Sequence, residues 1–135
     1  MIFNTLKLRL ATFDDADYLL DLKNDPIMRK FAVATHNKIK KKDHLKWLEQ
    51  NIGGIYIITQ RGWMVGMMRI ADGEVSINID PVFRGQGIGS KVLKKFCPKG
   101  VWAKIVDGNV ASMNIFLKNG FKIVDHKENY YVLEN

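Results

Sequence analysis

The segment Arg84-Gly85-Gln86-Gly87-Ile88-Gly89-Ser90 constrains this chain more than any other. It follows a strand-like run, Glu74 to Asp80, and opens an apolar stripe at helical spacing made by Ile88, Val92, Leu93 and Phe96. Glycines admit backbone conformations closed to other residues and let a ligand approach the main chain. The first amides of a helix have no internal partners and point outward at the positive end of its dipole. Strand, glycine-lined turn and helix start together predict an anion site in this segment. Arg84 and Lys91 add positive charge beside it.

Two well-known phosphate patterns do not fit. The Walker pattern needs Gly-Lys-Ser/Thr after four spacer residues, which is absent. The dinucleotide fingerprint needs G-x-G-x-x-G, whereas the spacing here is G-x-G-x-G. An acidic residue does follow about 20 positions on, at Asp107, but four strand-like runs precede the motif. A dinucleotide fold starts with its motif on the first strand, and too little chain follows here to build one.

The surrounding pattern predicts a mixed α/β sheet. Leu6, Leu8 and Leu10 alternate with Lys7 and Arg9, which predicts a strand with one buried face. Thr12-Phe13-Asp14-Asp15 has the pattern of a capping box. Ala16, Leu19, Leu20 and Lys23 follow at helical spacing to about Asn24, where Pro26 breaks or restarts the helix. A second helix spans Lys42 to Asn51, its stripe read as Leu45, Leu48 and Ile52 with Trp47 flanking. Ile55 to Gln60, Met64 to Ala71 and Glu74 to Asp80 read as a meander, with Arg61-Gly62 and Asp72-Gly73 as hairpin turns. After the glycine-rich helix come a strand, Val101 to Val106, and a helix from Asn109 with Val110, Met113 and Leu117 as its stripe. Asn119-Gly120 closes that helix. Phe121 to Asp125 and Tyr130 to Leu133 are the last strands. The predicted order is β-α-α-β-β-β-α-β-α-β-β, a meander followed by a βαβ crossover, in one domain over residues 1–135.

Composition narrows the functions. At 47% apolar residues, the 135-residue chain can bury a core without disulfides or metal. The single cysteine, Cys97, allows no internal disulfide and reads as a small apolar residue of a reducing compartment. The start Met1-Ile2-Phe3-Asn4 has no signal-peptide pattern and no apolar run is long enough to span a bilayer, so a cytoplasmic protein is expected. A formal charge of +7 favours anionic partners, with Lys38, Lys40, Lys41 and Lys42 in one run and Lys91, Lys94, Lys95 and Lys99 in another. A nucleic-acid binder is disfavoured, because no recognition-helix or aromatic-platform motif accompanies the lysines. His36 and His126 show no metal-ligand spacing.

Val82-Phe83-Arg84-Gly85-Gln86-Gly87-Ile88-Gly89 resembles the pyrophosphate loop of the GCN5-related N-acetyltransferase family, Arg/Gln-x-x-Gly-x-Gly/Ala after a strand. Asn109-x-x-Ser112 with the later Gly120-Phe121 resembles that family's second motif. The resemblance implies direct transfer of an acetyl group from acetyl-CoA to a primary amine. It implies that Arg84, Gly85, Gln86, Gly87, Ile88, Gly89 and Ser90 form the pyrophosphate site. Main-chain groups near Ile77 and Ile79 would pair with the pantetheine arm in a gap between strands, and Asn109 would contact the cofactor. Glu74 is the candidate base, acting through water. Many members carry a Tyr four residues before the Gly-Phe pair as general acid, but Phe116 stands there. Tyr130, Tyr131 and Cys97 are weak replacements.

Leu22-Lys23-Asn24-Asp25-Pro26-Ile27-Met28-Arg29 resembles a stretch of two subgroups, which acetylate amino-sugar nucleotides and ribosomal-protein N termini. His44-Leu45-Lys46-Trp47-Leu48 resembles a second segment of theirs. Asn24 and Arg29 are therefore candidate substrate-binding residues. Three functions stay open from the sequence: an amine acetyltransferase, an N-terminal acetyltransferase of a basic protein, and a catalytically silent acyl-CoA-binding module. The expected partners are acetyl-CoA and a small amine, with no metal, nucleic acid or membrane, in a monomer or homodimer.

Overall fold

The structure is a computed structural model, and it describes residues 5–32 and 37–135. The readings made at Met1–Asn4 and at His36 lie outside the described residues. The chain runs β1 (Leu6–Leu10), α1 (Ala16–Asn24), α2 (Pro26–Lys30), α3 (Lys41–Asn51), β2 (Ile55–Gln60), β3 (Trp63–Ala71), β4 (Glu74–Ile79), α4 (Ile88–Phe96), β5 (Trp102–Val106), α5 (Val110–Lys118), β6 (Lys122–His126) and β7 (Tyr130–Glu134). The seven strands form one mixed sheet in the order β1-β2-β3-β4-β5-β7-β6. Every neighbouring pair is antiparallel except β4 with β5.

Local chemistry explains most boundaries. Arg61 and Gly62, and again Asp72 and Gly73, both have positive φ (56° and 82°, 53° and 80°). These are type I′ turns, whose twist matches that of the joined strands. Thr12 Oγ1 accepts from the Asp14 N–H at 3.3 Å while Asp15 Oδ2 accepts from the Thr12 N–H at 2.9 Å, closing the expected capping box. Pro26 restarts the chain as a short helix. Asp25 Oδ2 caps it by accepting the Met28 N–H at 3.2 Å, so three helices rather than two separate β1 from β2.

Helices cover both faces. Leu19, Leu22, Leu48, Ile55, Ile57 and Met67 make the core under α1 and α3. Ile58, Met68, Val75, Val92, Ile105 and Leu133 belong to the core under α4 and α5. Three stripes differ from the sequence reading. On α1 Leu22 is buried where Leu20 was expected. On α3 His44 joins Leu48 and Leu45 is exposed, because His44 Nε2 donates to the Ala16 carbonyl at 3.1 Å. On α5 the buried side chain is Phe116, packed edge-on against Phe121 at 4.9 Å, while Val110 and Leu117 face solvent. In each case the choice among helical faces follows from which neighbour the helix meets. Periodicity leaves that open.

Candidate active site

β4 and β5 pair at one position only, Glu74 with Trp102. The Trp102 N–H also donates to the Gly73 carbonyl at 2.9 Å, so the two strands meet at one end. Beyond it they separate, and a cleft of about 570 Å³ opens between them. Its walls include Glu74, Ile77, Ile79, Arg84, Gly85, Gly87, Ile88, Gly89 and Asn109 from the sequence reading. Ile27, Met28 and Phe31 close it from the α2 side.

The gap exposes backbone. The Asp80 N–H donates to Val65 on β3 at 2.9 Å. Successive strand residues direct their polar groups to opposite edges, so those of Ile77 and Ile79 face the gap. The Ile79 carbonyl is occupied, accepting from Arg84 Nε at 2.9 Å. The gap-facing groups of Ile77 have no β5 residue opposite them.

At its open end the cleft meets the start of α4. Gly85 and Gly87 have φ of 80° and 78°, which only glycine adopts without strain. Among the described residues, none accepts a hydrogen bond from the N–H groups of Gly85, Gln86, Gly87, Ile88, Gly89 or Ser90. These donors surround the helix entrance beside a cleft, the arrangement that binds anions.

Arg84 does something the motif did not suggest. Its Nη2 lies 3.0 Å from Asp25 Oδ2, an ion-pair contact too bent to count as a hydrogen bond. The guanidinium thus ties the glycine loop to the cap of α2, and its charge is shared with Asp25. Asp25 was missed as a site residue, although an Asp before Pro is a readable cap signal.

The candidate substrate residues lie elsewhere. Asn24 lines a separate hollow of about 400 Å³ with Tyr18, Asp21, Asp25 and Asp80. Its side chain clips Ile39: Nδ2 donates to the Ile39 carbonyl at 2.9 Å and Oδ1 accepts the Ile39 N–H at 2.7 Å. Arg29 Nε donates to the Asn24 carbonyl at 3.1 Å. In the same hollow the Tyr18 hydroxyl donates to Asp80 Oδ2 at 3.1 Å, and burial with the nearby Asp80 charge raises its pKa. Asn109 caps α5, its Oδ1 accepting the Ser112 N–H at 3.3 Å. Ser90 Oγ accepts from Asn119 Nδ2 at 3.1 Å.

No tyrosine, histidine or cysteine lies among the described cleft walls. Phe116 lines the cleft with a bare ring. Cys97 sits at the far end of α4, its thiol at 3.5 Å from the Pro98 carbonyl and its pKa raised by burial. The Tyr131 ring stacks on His126 at 4.0 Å. Among the described residues no group of three or more His, Cys, Asp or Glu is placed to hold a metal ion, and no helix is long and apolar enough to cross a membrane.

A family model, the acetyltransferase (GNAT) domain, matches residues 5–122. The chain belongs to the GNAT acetyltransferase family. Solved structures agree on the fold. A domain from Methanocaldococcus jannaschii superposes with a TM-score of 0.81 at 23% identity, covering 96% of this chain and 97% of that one. The Salmonella typhimurium protein yncA, solved with its cofactor acetyl-CoA, gives 0.74 at 18% identity over 97% and 94%. A ribosomal-protein-alanine N-acetyltransferase from Brucella melitensis gives 0.75 at 21% identity over 94% and 97%. No curated protein sequence matches the chain. The GNAT assignment agrees with the resemblance carried by the glycine loop and the Asn109 motif.

Proposed function

We propose that this GNAT protein transfers an acetyl group from acetyl-CoA directly to a primary amine. One observation carries the reading: a gap between β4 and β5 opens onto the unpartnered amides of Gly85 through Ser90. Those amides hold the pyrophosphate, and the pantetheine arm lies along the free edge of β4. The co-substrate supplies an activated thioester. The Ile77 N–H, directed into the gap, is the donor best placed to stabilise the oxyanion that develops on the acetyl carbonyl. Glu74, at the closed end of the gap, takes the proton of the attacking amine through water. The new C–N bond forms as the C–S bond breaks, and the thiolate departs without a proton from the Phe116 position, whose ring carries no donor.

Of the acceptors suggested by the segment Leu22–Arg29, an amino-sugar nucleotide suits the +7 charge better than a basic protein N terminus. A silent acyl-CoA-binding module is the second reading, favoured by the bare ring of Phe116 in the cleft. The deciding experiment is thiol release from acetyl-CoA with a panel of amines, beside calorimetric titration of the cofactor. Release with at least one amine supports transfer. Tight binding with no release supports the module, and no binding overturns both readings.

A further inference from the structure

Trp47 of α3 carries two cations on one ring. Lys23 Nζ lies 3.0 Å from the ring centroid and Arg69 Cζ lies 5.1 Å from it. Arg69 Nη2 donates to a neutral acceptor, Asn51 Oδ1, at 3.1 Å, and Arg69 Nε is buried with no partner. Among the described residues, no carboxylate comes within 4.0 Å of either cation. Burial, then repulsion from Arg69, pushes the Lys23 amine down to about 8. Two like charges are therefore held together, partly out of water, without a counter-charge. An aromatic face offsets only part of that cost. A bound anion would remove much of the rest.

The placement ties this cluster to the reaction. Arg69 stands directly opposite Ser76 in the β3–β4 ladder, and Ser76 lines the cleft. Opposite residues on one face of such a ladder hold their Cβ atoms about 5 Å apart. Lys23 follows Leu22, whose carbonyl accepts from the buried Asn78 Nδ2 at 3.0 Å, pinning the end of α1 over β4. The cluster lies on the face of β4 that carries Glu74 and Ser76, not on the face packed against α4.

We infer that the acceptor amine belongs to a molecule bearing a carboxylate or phosphate group, and that Lys23 and Arg69 hold this group beside Trp47. The inference rests on the acetyl-transfer reading and names the chemical class of its acceptor. The same two charges repel a polyamine, so long cationic amines are the wrong class. The anion docks next to Ser76, and a short spacer then carries the amine to the gap between β4 and β5.

Matched amines test this. Thiol release is measured for 4-aminobutyrate against butylamine, phosphoethanolamine against ethanolamine, and spermidine alone. The anionic member of at least one pair should have a kcat/KM at least tenfold above its neutral partner, and spermidine should be poorest. The carboxylate and phosphate pairs show which group the site takes. In Arg69→Gln and in Lys23→Gln the ratio within the preferred pair should fall toward one, chiefly through KM, with melting temperatures recorded to confirm folding. Calorimetry of the same anionic amines on the CoA-loaded protein gives a readout independent of turnover. Equal kcat/KM within both pairs overturns the inference and leaves acetyl transfer standing. A preference that survives both substitutions also overturns it. Release with no amine defeats the transfer reading, and calorimetry then decides the anion site alone: binding lost in both variants supports it, and no binding removes it.

Discussion

Replacing Gly87 tests the anion cradle with little interference from the rest of the fold. Gly87 precedes α4 with φ 78° and ψ 11°. A Cβ built there meets nothing within 4 Å, so Gly87→Ala creates no clash inside the protein. Its folding cost is conformational, about 1–2 kcal/mol for an L-residue held in the left-handed region. In a domain of this size that lowers Tm by roughly 3–10 °C. The new methyl occupies the open space that a pyrophosphate needs in order to reach the amides. Loss of one hydrogen bond to a charged group costs about 1.5–3 kcal/mol, so the Kd for acetyl-CoA should rise about 10- to 150-fold. Gly87→Asn separates the two effects. Asparagine tolerates the left-handed region, so more of the stability returns while the obstruction stays. Calorimetric titration with acetyl-CoA, well below the measured Tm, gives the affinities. Unchanged Kd in both variants would refute the claim that these amides bind the cofactor. Gly66 supplies the contrast: a Cβ there would lie 2.5 Å from the Asn78 carbonyl oxygen, so Gly66→Ala should destabilise the fold itself.

Three further outcomes follow from the geometry. Asp15 has a lowered pKa, first through its bidentate contact with Arg9 at 2.8 Å and then through the Thr12 N–H, against opposing desolvation. A depressed carboxyl stabilises the fold above its unfolded pKa and loses that contribution as pH falls below about 4. Asp15→Asn should cost about 2 kcal/mol at pH 7, and the difference should shrink in denaturant titrations run stepwise toward pH 3. Phe116→Tyr places a hydroxyl on the cleft wall where the thiolate leaves, so kcat should rise about tenfold or more with an altered alkaline limb. An unchanged rate and pH profile would show that the departing sulfur needs no proton from this position. Asp25→Asn keeps the cap of α2 but loses the ion pair with Arg84, whereas Asp25→Ala loses both. Thermal melts should show Asp25→Ala less stable than Asp25→Asn by about 1 kcal/mol.

The strand alternation, the two I′ turns, the capping box and the glycine loop were all legible in the chain. Each depends on residues a few positions apart, whose hydrogen bonds and allowed dihedrals are local properties. That is why Ile55–Gln60 was read with its observed bounds and why a glycine-built turn was read ahead of α4. The faces of α3 and α5 were misread because His44 and Phe116 are buried by partners distant in sequence. At the site, too, contacts join residues distant in sequence. Asn24 is committed to Ile39, Arg84 to Asp25 and the Ile79 carbonyl, and Lys23 meets Arg69 across the ring of Trp47. Such contacts depend on how the helices settle on the sheet and on where β4 parts from β5. So the chain itself determined where a glycine turn opens a helix, and only the tertiary structure decided which side chains are spent on distant partners and which line the cleft.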